Sequence, residues 1–262
     1  MRLSNQTVVI TGASSGLGKD LALIAAKQGA NIVLIARRET ELKNLKAKIQ
    51  EDFPVKCHYF VVDVTDEKAV YDAFHQIEEQ FDGIDVLINN AGFGLFQTVE
   101  HMSFQDMKQM FDVNVFGVMI CSKLALTSMK LKGKGHIINI ASLAGKIATS
   151  KAAAYAATKH AVLGFSNALR QEVEKDGIYI TNINPGPMDT PFFEIADESG
   201  AYAKSVRKMM LDPEKVASKV ISIIGNNVHE IDLPSWMGFG AKLYSVFPRV
   251  SYYFMTKFGN KK

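Results

Sequence analysis

Residues 7–29 read TVVITGASSGLGKDLALIAAKQG. The first five are all β-branched, with no polar alternation, as in a strand covered on both faces. From Gly16 onward the apolar residues recur at helical spacing and the run stops at Gly29, a helix C-terminal signal. Between the two lies TGASSGLG (11–18). Gly12 can make the tight turn, Gly16 lets backbone approach a pyrophosphate, and Gly18 lets helix and sheet pack closely. The helix amino terminus then offers free amides and a favourable dipole to phosphate. The spacing is G-x-x-x-G-x-G rather than the commoner G-x-G-x-x-G, but the strand–turn–helix setting is the one a dinucleotide site requires. The loop Gly12, Ser14, Ser15, Gly16, Leu17, Gly18 is therefore the candidate cofactor cradle.

The alternation continues along the chain. Strands are predicted at 31–36 (NIVLIA), 57–64 (CHYFVVDV), 84–92 (IDVLINNAG, strand plus turn), 136–142 (HIINIAS) and 179–188 (YITNINPGPM, strand plus turn). Helices are predicted at 39–53, 66–81, 104–131 and about 152–175. Continuous apolar strands separated by helices mean a mainly parallel sheet covered on both faces, an α/β doubly wound Rossmann-type fold. No linker rich in Pro, Gly and Ser divides the chain, so 1–262 reads as one domain, and 47% apolar residues suffice for its core.

Several function classes lose support here. The net charge is +3 with no basic block, which argues against nucleic acid. The six histidines have no paired spacing and there is no cysteine cluster, which argues against a metal site. Cys57 and Cys121 lie in apolar stretches without a C-x-x-C partner and read as reduced, buried thiols of a cytoplasmic protein. The amino terminus has no signal-peptide pattern. The apolar window 113–129 is interrupted by Asn114 and Lys123 and reads as a buried helix, not a membrane span.

Sites in such sheets lie at the carboxyl ends of the strands. Nineteen residues after Gly18, where NAD enzymes place an acid on the adenosine ribose, the chain reads IARRE (35–39). A guanidinium there can bind a 2′-phosphate that a carboxylate would repel, so Arg37 and Arg38 predict NADP(H), with Arg37 preferred as the first residue after the strand. Asp63 ends the third strand and could accept from the adenine amino group beside the Val64 amide. It could otherwise cap a helix, although Thr65 and Asp66 are better placed for that. In NNAG (89–92), the small residues after Asn90, Ala91 and Gly92, let cofactor lie against backbone.

AAAYAATKHAVLGF (152–165) carries Tyr155 and Lys159 one helical turn apart on one face. The preceding strand delivers Ser142 to the sheet edge, and Asn114 is a polar residue on a buried helix that needs a partner. Together Asn114, Ser142, Tyr155 and Lys159 suit carbonyl reduction. A phenol can donate the proton, a nearby ammonium would lower the phenol's pKa, and a serine hydroxyl can hold the substrate oxygen.

The chain resembles a short-chain dehydrogenase/reductase of the single-domain type. The matching motifs are TGASSGLG, NNAG, Asn114 in VNVFG, Ser142, Tyr155-x-x-x-Lys159 and NPGPMDT (184–190). The resemblance implies a seven-stranded sheet and Tyr155 as general acid/base. It implies that Lys159 also binds the nicotinamide ribose and that Asn114 holds a water in a proton relay. Asn90 and Gly92 would line the cofactor, Pro185 and Gly186 would pass the nicotinamide, and Thr190 would bind its carboxamide. It also implies a homodimer or homotetramer. Met188 departs from the usual small aliphatic, which bears on pocket shape. The expected activity is NADP(H)-dependent interconversion of a small-molecule carbonyl and a secondary alcohol. The alternatives are an NAD-linked alcohol dehydrogenase and a non-catalytic, cofactor-binding redox sensor.

Two segments bear on the substrate. Residues 191–211 form the expected substrate loop, in which Phe192, Phe193, Tyr202, Met209 and Met210 could cover an apolar molecule. Residues 233–262 hold no acid, five basic residues and eight aromatics. Such a segment could rest weakly on a membrane surface, close the pocket or form a subunit interface.

Overall fold

The computed structural model describes residues 1–197 and 200–249. Among these, seven strands form one parallel sheet in the order β3-β2-β1-β4-β5-β6-β7. They are β1 (Thr7–Thr11), β2 (Asn31–Ala36), β3 (Cys57–Val61), β4 (Val86–Asn89), β5 (Gly135–Ile140), β6 (Ile178–Pro185) and β7 (Glu230–Leu233). The predicted strands are all present, with ends trimmed where the chain turns into loops. β7 was not read from its own residues, only implied by the resemblance.

Helices α1 (Gly16–Lys27), α2 (Glu39–Asp52) and α9 (Pro213–Ser222) cover one face of the sheet through a core that includes Leu21, Leu42 and Val220. Helices α3 (Glu67–Phe81), α5 (Gly117–Lys132) and α6 (Ala153–Glu172) cover the other, around Phe74, Cys121 and Leu169. Cys57 and Cys121 are free and buried. The predicted helix 104–131 is α4 (Phe104–Phe111), a π-helical segment Asp112–Phe116, and α5. By length and composition this helix could cross a membrane. In the fold its α5 part seats Cys121, Ala125 and Met129 at i, i+4 and i+8 among buried apolar residues of the sheet.

Three helix starts are set by short polar residues. Asp66 caps α3 by accepting from the Ala69 amide at 3.0 Å, Ser103 caps α4 through Asp106, and Asp212 caps α9 through Glu214. At α1 the N-cap residue Ser15 makes no side-chain cap bond. Its first amides thus have no side-chain acceptor from the cap residue. β1 pairs with β2 on one side and β4 on the other. The chain order reverses there, which opens a crevice at the carboxyl ends of the two strands.

The segment leading into β7 is held by a buried histidine. His136 on β5 meets Thr181 Oγ1 through Nε2 at 2.8 Å, and its Nδ1 accepts the Gly225 amide at 3.1 Å. Thr181 Oγ1 in turn donates to the Val228 carbonyl. Burial pushes the His136 pKa down to about 4. The unfolded chain takes up a proton near pH 6.5 and the native chain only near 4, so stability falls as pH drops through this window. The loss is expected to reach order 3 kcal/mol. Melting temperatures measured from pH 7 to 4 should decline more steeply for the wild type than for His136→Gln; parallel curves reject the assignment.

Candidate active site

The glycine loop is shaped by close approach. Gly12 has φ +66°, and a Cβ on it would lie 2.8 Å from Ala91 Cα; one on Gly18 would lie 2.3 Å from the Gly12 carbonyl oxygen. Gly16, at φ +50°, faces Thr190, whose Cβ would be 3.4 Å away. Thr190 thereby joins the loop although 174 residues separate the two in sequence. Leu17 is buried under the helix start. Asn90 fastens the loop to β4, with Nδ2 donating to the carbonyls of Thr11 at 3.0 Å and Gly12 at 3.1 Å. Thr11 Oγ1 accepts from the Asn90 and Ala91 amides, each at 3.0 Å.

The two arginines divide. Arg38 lies over the loop, with Nη2 donating to Ser14 Oγ at 3.0 Å and Ser15 Oγ at 2.6 Å. Arg37 lies 3.6 Å from Asp63 Oδ2, and its side chain is 74% exposed. Of the two, Arg38 rather than the preferred Arg37 is the one hydrogen-bonded to the cradle. Asp63 also accepts from the Thr65 amide and hydroxyl at 3.0 and 2.9 Å, so its carboxylate closes a turn, while Asp66 caps α3. Val64 is buried against Gly117.

The catalytic candidates converge. Asn114 lies in the π-helical segment, fully buried. Its Oδ1 accepts the Phe93 amide at 3.0 Å and its Nδ2 donates to the Phe93 carbonyl at 2.8 Å and to Thr158 Oγ1 at 3.1 Å. π-segments of this kind often mark functional positions. Asn114 Oδ1 lies 3.1 Å, and Lys159 Nζ 3.7 Å, from where a Gly92 Cβ would be, so Gly92 keeps the space beside both open. Ser142 Oγ accepts the Ala144 amide at 3.0 Å, donates to the Pro185 carbonyl at 3.4 Å, and is hydrogen-bonded to the Tyr155 phenol. Gly186 donates to the Leu233 carbonyl at 2.6 Å, which ties the end of β6 to β7.

Burial governs the two ionisable groups. It pushes the Tyr155 phenol up to about 12, against a smaller opposing pull from the Ser142 hydrogen bond. It pushes Lys159 down to about 8. The expected lowering of the phenol by the ammonium does not operate here. Lys159 Nζ donates to the Ile140 carbonyl at 2.9 Å and lies 5.7 Å from the centre of the Tyr155 ring, so desolvation outweighs the pair.

An aromatic lining surrounds Tyr155. Phe96 packs edge-on at 6.1 Å to Tyr155, 6.4 Å to Phe192 and 5.1 Å to Tyr202, and Phe193 joins at 6.3 Å. The predicted substrate loop contains α7 (Phe192–Ala196) and α8 (Ala201–Val206). Phe192, Phe193 and Tyr202 reach the site, whereas Met209 is exposed. Met188 packs on the core beneath α1 and α9 rather than into the pocket. Phe96 and Thr158 were missed from sequence. Phe96 follows the strand end in NAGFGLF (90–96), and Thr158 is a polar residue on a buried helix face, the signal that identified Asn114.

Comparison with known proteins agrees with this geometry. Residues 6–199 match the family model for short chain dehydrogenase. An uncharacterized oxidoreductase of Staphylococcus saprophyticus is 34% identical over 229 residues, covering 87% of this chain and 95% of that one. One from Staphylococcus aureus is 33% identical, covering 87% and 96%. Among solved structures, an alcohol dehydrogenase from the archaeon Thermococcus sibiricus complexed with 5-hydroxy-NADP superposes with a TM-score of 0.79 at 26% identity, covering 87% of this chain and 95% of that one. A short-chain type dehydrogenase/reductase from Mycobacterium marinum gives 0.81 at 26% identity, covering 88% and 94%.

The depressed Lys159 pKa has a stability consequence. Below pH 8 the folded state holds a buried cation; between 8 and about 10.5 only the unfolded chain is charged, so wild-type stability rises with pH in that window. Lys159→Met is expected to raise the melting temperature by several degrees at pH 7, with the gap closing toward pH 10. A variant less stable than the wild type at pH 7 overturns this.

Proposed function

Since the chain belongs to the short-chain dehydrogenase family, we propose that it is an NADP(H)-dependent oxidoreductase interconverting an apolar small-molecule carbonyl and its secondary alcohol. The observation that carries the reading is the meeting of Ser142, Tyr155 and Lys159 beside the glycine cradle. The cradle suits a dinucleotide: α1 begins without a side-chain cap, and Gly12 and Gly18 allow the close backbone packing that sets its amino terminus at the strand ends. When bound, the nicotinamide supplies or accepts the hydride at carbon.

The chain's own residues handle the oxygen. Tyr155 is held protonated through neutral pH by burial, so the acid needed for carbonyl reduction is loaded. In the direction of alcohol oxidation the phenol must first lose that proton, so this direction is favoured by rising pH. Ser142 Oγ, already hydrogen-bonded to the phenol, positions the substrate oxygen against it. Lys159 places a positive charge behind the site, and Asn114 with Thr158 keeps the helix carrying Tyr155 and Lys159 in register. Phe96, Phe192 and Phe193 exclude water and favour an apolar substrate. Arg38, donating to Ser14 and Ser15, supports NADP(H) over NAD(H). A homodimer or homotetramer belongs to the same reading, supported by a shallow groove lined by Met119, Leu126, Phe165 and Leu169 on α5 and α6.

Steady-state NADPH oxidation over a panel of apolar carbonyls tests the reading. Tyr155→Phe should lower kcat about 10²–10⁴-fold while leaving NADPH binding intact. A wild type no faster than this variant on every carbonyl would favour the sensor instead. Arg38→Ala should raise the KM for NADPH about tenfold or more and leave that for NADH nearly unchanged. Stronger wild-type activity with NADH would reverse the cofactor assignment.

A further inference from the structure

Helix α10 (Ser235–Val246) is seated on one side only. Gly238 and Ala241 are buried, and a Cβ on Gly238 would lie 2.3 Å from Asp232 Cβ. Met237 Sδ lies 3.1 Å from where a Gly186 Cβ would be, so this side rests on the turn after β6. The opposite side carries Trp236, Phe239, Leu243 and Val246, with Phe247 directly after. The spacing i, i+3, i+7, i+10, i+11 forms a stripe about 100° wide. Trp236, Phe239 and Val246 are 62%, 65% and 67% exposed. Five large apolar side chains in one row on water are uncommon for a chain that leaves them bare.

Lys242 flanks the stripe and Arg249 follows it, both exposed. In sequence, residues 233–262 contain five Lys/Arg and no acid, whereas the 232 residues before them contain 25 Lys/Arg and 27 Asp/Glu. The chain's positive balance therefore resides in this one segment.

We propose that the exposed face of α10 docks on an anionic lipid bilayer, with the apolar stripe in the interfacial layer and the flanking cations on the headgroups. Apolar stripe plus cations is the composition of a helix lying in the membrane plane, and lipid phosphates complement the charge. A second copy does not: two-fold pairing would set an acid-free segment against itself. Because the seated side of α10 touches Gly186, docking brings the aromatic-lined cleft close to the bilayer, where an apolar carbonyl partitions. Delivery of substrate from lipid rests on the reductase reading; docking does not.

Trp236 is the only tryptophan in the chain, so its emission reports on this face alone. The full chain is mixed with vesicles of equimolar phosphatidylglycerol and phosphatidylcholine, or of phosphatidylcholine only, at low and high salt. With the anionic vesicles at low salt the emission should shift to the blue and the protein should co-sediment; high salt should reverse both. Lys242→Gln should weaken partition about fivefold, and Phe239→Ser about tenfold or more. Both variants should retain wild-type turnover of a water-soluble carbonyl, since neither residue touches the cleft. Emission and sedimentation unchanged by anionic vesicles overturn the proposal. So does a blue shift that grows with protein concentration without lipid, which identifies a second copy as the cover. Docking without turnover on any carbonyl removes the reductase reading alone, and turnover without docking removes this one alone.

Discussion

The arrangement at the carboxyl edge of the sheet depends on how closely α1 may approach β1 and β4. A Cβ on Gly18 would lie 2.3 Å from the Gly12 carbonyl oxygen and 2.6 Å from Asn90 Nδ2, distances real side chains do not tolerate. The absence of that carbon lets Asn90 bond the Thr11 and Gly12 carbonyls at once. That bracket ties the loop after β1 to the end of β4, and the helix start is aimed as a result. Gly92, two residues past Asn90, then opens toward Asn114 and Lys159. One tight contact thus links the cradle to the groups that handle the proton.

The aromatic lining and the acid are two aspects of one desolvated space. Phe96 and Phe192 pack on Tyr155 and remove it from water, which holds the phenol protonated. The same desolvation strips stabilisation from the Lys159 charge. A site made wetter to ease the lysine would lose some of its apolar selectivity and some of its hold on the phenolic proton. The aromatic residues come from the loop after β4 and from α7, so the dryness is supplied by segments outside the sheet.

Much of this was legible in the chain because continuous β-branched runs and helical spacing are strong signals. β1, β2 and α1 could be placed from TVVIT, NIVLIA and the glycines between. β7 hid because EIDL carries two carboxylates in four residues; in the fold these meet Lys146 Nζ at 2.7 and 2.6 Å, a partner 84 and 86 residues away. The candidate set Asn114, Ser142, Tyr155 and Lys159 was legible as polar residues where burial demanded partners. Which arginine faces the cradle was not, since the orientation of residues just past a strand depends on how the chain leaves the sheet. The balance between burial and charge at Tyr155 was not legible either, because it depends on aromatic side chains brought in from residues 96 and 192. The charged segment 233–262 was legible in composition, but only the seating of α10 showed which side is left bare; 250–262 lie outside the described residues.

The π-helical segment Asp112–Phe116 makes one helix behave as two rods set to different references. α4 is phased by the cleft, where Met110 is buried beside Tyr155, and α5 by the sheet, where Cys121, Ala125 and Met129 are buried. In an ordinary α-helix each residue turns the rod by roughly 100°, so the length of this joint sets the angle between the two faces. Loss of a single codon within the joint is equivalent to rotating the cleft wall about the helix axis while the foundation stays in place. A gene of this design can therefore tolerate substitutions along either rod far more readily than a one-residue length change between them.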